Sequence, residues 1–125
     1  MKVTAEKNDK VAKMIFGSIY PLYLNRLIKN GRTQEELNQV IEWLTGYNEK
    51  KIQKLIDDKV TFETFFKKSK MHPNAHLIKG VVCGYRIEDI EDEFMVYKQC
   101  RMMEKLVDEL AKGRKMEKIL RKEKV

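Results

Sequence analysis

GRTQEELNQVIEWLTG, residues Gly31 to Gly46, carries its own start and stop signals. Thr33 followed three positions later by Glu36 forms a capping box: the Thr hydroxyl accepts the third helical N–H, and the Glu carboxylate reaches back to the cap's own N–H. Leu37, Val40, Ile41 and Leu44 then recur every three or four residues, so they make one apolar stripe. Gly46 supplies the left-handed residue on which such a helix ends. The segment predicts one amphipathic helix with a single buried face, and that fixes how the flanking chain is read.

Toward the C-terminus, Asn48 caps a helix with Ile52, Leu55 and Ile56 inward, and Thr61 caps a shorter one carrying Phe62, Phe65 and Phe66. Lys70 to Asn74 read as a loop, since Pro73 biases His72 toward extended backbone. LIKGVVCGYRI, Leu77 to Ile87, fits either a short buried helix or a short strand. Helix is favoured because no second strand is evident to pair with it, and a lone strand leaves its ladder groups unpaired. The longest helix is expected to start near Asp92, with Glu88, Asp89, Glu91, Asp92 and Glu93 at its positive end. Val96, Cys100, Met103, Val107 and Leu110 form its seam, and Met95, Met102 and Leu106 widen that seam to suit a core or a partner helix. Gly113 ends it, and Met116, Ile119 and Leu120 mark a last short helix.

Toward the N-terminus, Val11, Met14, Ile15, Ile19 and Leu22 keep helical spacing, but Gly17 and Pro21 interrupt it. A cap at Ser18 reconciles the two by placing Pro21 in a first turn, where its missing N–H has no partner to lose. That helix carries Leu22, Leu27 and Ile28 and stops at Gly31. The fold expected is all-α: a single compact domain over residues 1–125 of about six short-to-medium helices with one long helix in the C-terminal half, frayed at 1–8 and 122–125.

A chain of 125 residues is long enough to bury one core without a metal or disulfide staple. Charged residues make up 36% of it and the hydrophobic group 42%, a balance that suits amphipathic helices around that core. Cys83 and Cys100 are far apart and lack the spacing of a zinc or redox motif. No apolar leader follows Lys2, and no window approaches the ~20 apolar residues of a bilayer span. The cytoplasm is the compartment expected, with no membrane association.

The formal charge of +7 raises the prospect of an anionic partner. From Lys112 to Val125, however, seven basic residues face two acidic ones, so much of the excess sits on one tail and reads as a solvated face. Thr33 to Leu55 resembles a helix-turn-helix in outline, with Lys50, Lys51 and Lys54 on its second helix. Glu42 and the bulky Trp43 near its turn argue against that motif. Cys83 is the candidate nucleophile, with His72 and His76 as upstream bases, yet flanking Val81 and Val82 favour a buried structural thiol. The run from Glu88 to Glu93 lacks the ligand alternation of a calcium loop, and Pro73 breaks the helical relation between the two histidines. No cofactor or metal is expected. Phe16, Tyr20, Tyr23, Trp43, Tyr47, Phe62, Phe65 and Phe66 read as core, with the tyrosine hydroxyls needing partners.

SIYPLY (Ser18–Tyr23), GRT (Gly31–Thr33), WLTGY (Trp43–Tyr47), FETFF (Phe62–Phe66), LIKGVVCGYRIEDIED (Leu77–Asp92), DELAKG (Asp108–Gly113) and MEKILR (Met116–Arg121) occur in this order. In these blocks the chain resembles the domain of unknown function 2200 family of uncharacterised prokaryotic proteins. Members commonly place a proline after the aspartate matched by Asp92, where this chain has Glu93; either suits a first helical turn. The resemblance implies no catalytic residue.

The function expected is a small helical protein-interaction module, self-associating through the Met-rich helix or an aromatic surface. A nucleic-acid-associated protein using Lys50, Lys51 and Lys54 is the alternative, and an enzyme built on Cys83, Arg86 and Glu88 is the second. The expected functional surface is Lys79, Cys83, Arg86, Glu88 and Asp89, where polar groups crowd between Gly80 and Gly84.

Overall fold

A computed structural model describes residues 2–121. Five helices come first: α1 (Ala5–Ala12), α2 (Phe16–Lys29), α3 (Gln34–Thr45), α4 (Glu49–Asp57) and α5 (Phe62–Lys67). A two-stranded antiparallel hairpin, β1 (Val81–Val82) and β2 (Tyr85–Arg86), precedes the long α6 (Met95–Ala111) and the short α7 (Met116–Ile119). The chain is a mostly all-α single domain.

The local signals around α3 act as the sequence dictates. Thr33 Oγ1 accepts from Glu36 N while Glu36 Oε1 accepts from Thr33 N, completing the capping box, and Gly46 adopts φ +78°. Asn48 and Thr61 cap α4 and α5 by accepting from Lys51 N and Thr64 N. The start of α2 differs. Phe16 N donates to Val60 O and Phe62 N to Met14 O, a short antiparallel bridge at Ile15 and Thr61. This backbone pairing, rather than Ser18, starts the helix at Phe16, so Pro21 lies inside it, past the first turn. Gly17 permits the close crossing of α2 over α4, since a Cβ there would lie 3.2 Å from Ile56 Cγ2 and from the Ile56 carbonyl oxygen. Leu27 is buried as expected, whereas Leu22 and Ile28 face outward.

α6 is the hub. Cys100, Met102, Met103, Leu106, Val107 and Leu110 are buried along it, and α1, α2, α3, α5, α7 and β1 all pack on it. Its methionine-rich seam is therefore core, apart from half-exposed Met95. Phe16 stacks on Phe65 at 4.1 Å between ring centres, with Phe62, Phe66, Tyr20 and Tyr47 around them. Tyr20 donates to Asn38 Oδ1 at 2.5 Å and Tyr47 to Phe65 O at 2.6 Å, so both hydroxyls are satisfied.

Two expectations about segments are corrected. Residues 5–8 are helical rather than frayed. Thr4 caps α1, Lys7 Nζ donates to the Tyr85 hydroxyl, and Asn8 Oδ1 accepts from Tyr97 N in the open first turn of α6. One chain end thus caps the central helix, a pairing of residues 89 apart that local pattern does not reveal. The fraying expected at 122–125 lies outside the described residues. The second correction is Leu77–Ile87, which is not helical. Ala75–Leu77 make one 3-10 turn, then Val81 pairs with Arg86 and Val82 with Tyr85 about Cys83-Gly84. Both turn residues have positive φ, +52° and +81°, as a two-residue type I′ hairpin requires. The partner strand is the adjacent segment. Likewise, α6 begins at Met95, and Glu88 and Asp89 sit in a separate 3-10 turn rather than on its first turn.

The C-terminal segment is fixed by one buried carboxylate. Glu109 accepts from both guanidinium nitrogens of Arg121, at 2.5 and 2.8 Å, and from Arg114 at 3.0 Å. The side chain of Arg121 is largely buried and that of Arg114 is half exposed. Glu109→Ala is expected to cost about 3 kcal/mol in urea unfolding, because it strands the Arg121 charge. Arg121→Ala should cost a similar amount and Arg114→Ala under about 1 kcal/mol; equal effects of the two arginines would refute this ranking.

Candidate functional site

The expected surface does not converge. Arg86 and Glu88 meet at 3.5 Å, and Glu88 also accepts from Gly80 N at 3.1 Å, so that pair closes the base of the hairpin. Lys79 is exposed, and Cys83 meets Glu104 instead. Asp89 faces the N-terminal side, beside Val3, Tyr85 and Phe94. Cys83, Glu88 and Asp89 thus border three different depressions.

Cys83 is at the hairpin tip and exposed, not buried as Val81 and Val82 implied, because only Val82 turns inward. Its Sγ lies 3.4 Å from Glu104 Oε2. Partial burial and the negative Glu104 carboxylate push the thiol pKa up, which disfavours the thiolate a nucleophile needs. Cys100 is buried and its thiol is pushed up further, by burial above all.

What the hairpin tip does build is a groove of about 520 Å³ between α2, β1 and α6. Ile19, Leu22 and Tyr23 form one wall and Val81 and Val82 the other. Leu22 is 60% exposed and Val81 50%, large apolar side chains left open to water on facing walls. Charge closes one end: Arg26 binds Asp108 at 2.6 Å and Lys112 binds it at 2.9 Å. Burial works to raise the Asp108 pKa, but hydrogen bonds from Arg26 and Lys112 prevail and hold it below the usual carboxylate range. Its contribution to stability is therefore present above the unfolded-state pKa and lost as pH falls through the folded one. Tyr23 is pushed well above a normal phenol by burial, with Glu104 adding to the effect.

A second groove of about 310 Å³ lies between the 3-10 turn at Ala75–Leu77 and the start of α6, with Met71, Met95 and Met102 among its walls. Sequence reasoning assigned Met95 and Met102 to a seam but had no means of bringing Met71 beside them. His72 stacks on Trp43 at 4.2 Å, and His76 Nδ1 lies 2.9 Å from Pro73 O, so the histidines are apart from Cys83 and serve local packing. Among the described residues, no group of three His, Cys, Asp or Glu side chains could hold a metal ion.

The basic surfaces are partly engaged. Lys50 and Lys54 are exposed on α4 and Lys51 is half-buried, while Lys54 pairs with Asp58 at 3.3 Å. On the C-terminal segment Lys112, Arg114 and Arg121 are bound to Asp108 and Glu109. Among the described residues, no helix is long and apolar enough to cross a membrane.

Helices gathered on a central α6, with a short hairpin against it, define a small mostly α-helical domain. The family described as uncharacterized protein conserved in bacteria, domain of unknown function 2200, matches residues 10–121, and the chain belongs to it. Among solved structures, the crystal structure of uncharacterized protein SP1917 is similar at 34% identity and a TM-score of 0.81, over 90% of this chain and 91% of that one. No curated protein matches.

The thiols give a direct check of this geometry. At neutral pH a thiol reagent should modify Cys83 more slowly than free cysteine and Cys100 only after denaturation. The rate at Cys83 should keep rising with pH beyond the midpoint of free cysteine; a midpoint below it would contradict the Glu104 contact.

Proposed function

We propose that the domain is a protein-interaction module that associates with a second copy of itself through the groove between α2, the hairpin and α6. The observation that carries this reading is the exposure of Leu22 and Val81 on facing walls of that groove. Water contact with large aliphatic side chains is unfavourable by about 25 cal/mol per Å², and a partner surface removes it.

The rim favours a like partner. Arg26 and Lys112 stand beside Glu104 and Asp108, a balanced set on a chain of net charge +7. A two-fold axis brings the cations of one copy to the anions of the other, whereas most other faces of two such chains repel. The same reading places the protein in the cytoplasm, where Cys83 and Cys100 stay reduced.

Sedimentation velocity at tens of micromolar should give a dimer. Leu22→Lys combined with Val81→Lys should give a monomer with an unchanged melting temperature, since both side chains are already exposed. A strictly monomeric parent chain, or a double variant that still dimerises, would remove the proposal.

A further inference from the structure

We infer that a cavity between α1, α2, α5 and α6 is a binding site for a small neutral primary amide. It measures about 130 Å³ and adjoins the self-association groove, with which it shares Ile19, Tyr23 and Glu104. All of its walls come from one copy of the chain, so it stands apart from self-association. Ile19, buried Phe62 and partly exposed Met14 give it apolar sides, while its polar groups are incompletely bonded.

Tyr20 and Tyr47 have hydroxyl partners, but the Tyr23 hydroxyl has none among the described residues, although it is buried. Burial above all, with the Glu104 charge adding to it, keeps that phenol protonated, so it is a donor at neutral pH. Arg101 supplies a second open donor. Its terminal nitrogens are taken by Glu104 and, at 2.9 Å, by the Tyr97 hydroxyl, and its guanidinium carbon lies 4.7 Å from the centre of the Tyr97 ring. These contacts fix the group, and its buried Nε–H has no acceptor among the described residues. Glu104 offers the complementary gap: Cys83 and Arg101 both donate to Oε2, and Oε1 accepts from no described residue.

Buried donors left unpaired are costly, so an occupant that pairs them is favoured. Two open donors and one open acceptor match the carbonyl oxygen and the N–H of a primary amide. Charge excludes a carboxylate, because Arg101 is already balanced by Glu104 and an added anion would be an unpaired charge in a partly buried site. Size sets the rest: a cavity of about 150 Å³ takes benzene, so this one takes about six non-hydrogen atoms.

The test titrates isobutyramide into the full chain carrying isotope-labelled methionine methyl groups and tyrosine rings. The Met14 and Tyr23 signals should shift saturably, in the millimolar range open to a ligand of about six atoms. Methyl isopropyl ketone, which exchanges the amide N–H group for a methyl, and isobutyrate, which adds charge, should each bind at least about fivefold more weakly. Tyr23→Phe keeps the ring and removes the donor, and should weaken isobutyramide about threefold or more while circular dichroism stays unchanged. Glu104→Gln leaves the Arg101 charge unbalanced and should reverse the order, so that isobutyrate binds better than isobutyramide. No shift at Met14 and Tyr23, equal binding of the three compounds, or full affinity in Tyr23→Phe would overturn the inference. An acetylated Gly-Gln-Gly peptide should bind more weakly than isobutyramide; tighter binding would place the amide on a partner protein's glutamine and overturn the assignment to a free small molecule.

Discussion

Burial of α6 is the constraint on which the rest of the structure depends. A helix that is apolar along Cys100, Met103, Leu106, Val107 and Leu110 must be covered on several sides, and no single neighbour is wide enough to do it. Five other helices and one strand share the task, and each is oriented by the stripe it turns toward the hub. The polar contacts then follow from that arrangement. Asn8 completes the open first turn of α6, and Glu109, drawn inside with its helix, is compensated by Arg121. Tyr20, Asn38 and Glu49 form a chain of hydrogen bonds that ties α2, α3 and α4 together beside the aromatic cluster.

The elements legible from the sequence were those whose signals are local. The capping box at Thr33 and Glu36, the caps at Asn48 and Thr61 and the glycine stop at Gly46 each involve atoms a few residues apart, and all four occur as read. The elements misread depend on distant partners. α2 takes its start from Val60, Asn8 matters because α6 starts nearby, and neither relation leaves a periodic trace. The hairpin is a different case, because its signal was present. Two β-branched residues, a residue followed by glycine, then an aromatic make a two-residue turn with a strand on either side. Cysteine at the first turn position disguised it, since asparagine or aspartate is the usual occupant of that left-handed site.

The same distinction applies to the candidate sites. Polar density between Lys79 and Asp89 suggested one surface, yet the hairpin reverses direction at Cys83 and sends neighbouring residues to opposite sides. Alternation along a strand separates what proximity in sequence unites. The grooves draw instead on Leu22 with Val81, and on Met71 with Met95, pairs separated by whole helices. The methionines that meet around the second groove were brought together by folding.

The place of the hub in the chain bears on how the protein is made. Synthesis is vectorial, and α1 to α5 emerge with their apolar stripes before the helix that covers them exists. The phenylalanines of α5 can gather with Phe16 early, as both precede α6 in the chain, but the interior stays open until α6 has left the ribosome. Even then Glu109 waits for Arg121, twelve residues later, to neutralise it. Assembly therefore waits until α6 and Arg121 have emerged, and the preceding interval is the one in which a chaperone has most apolar surface to hold.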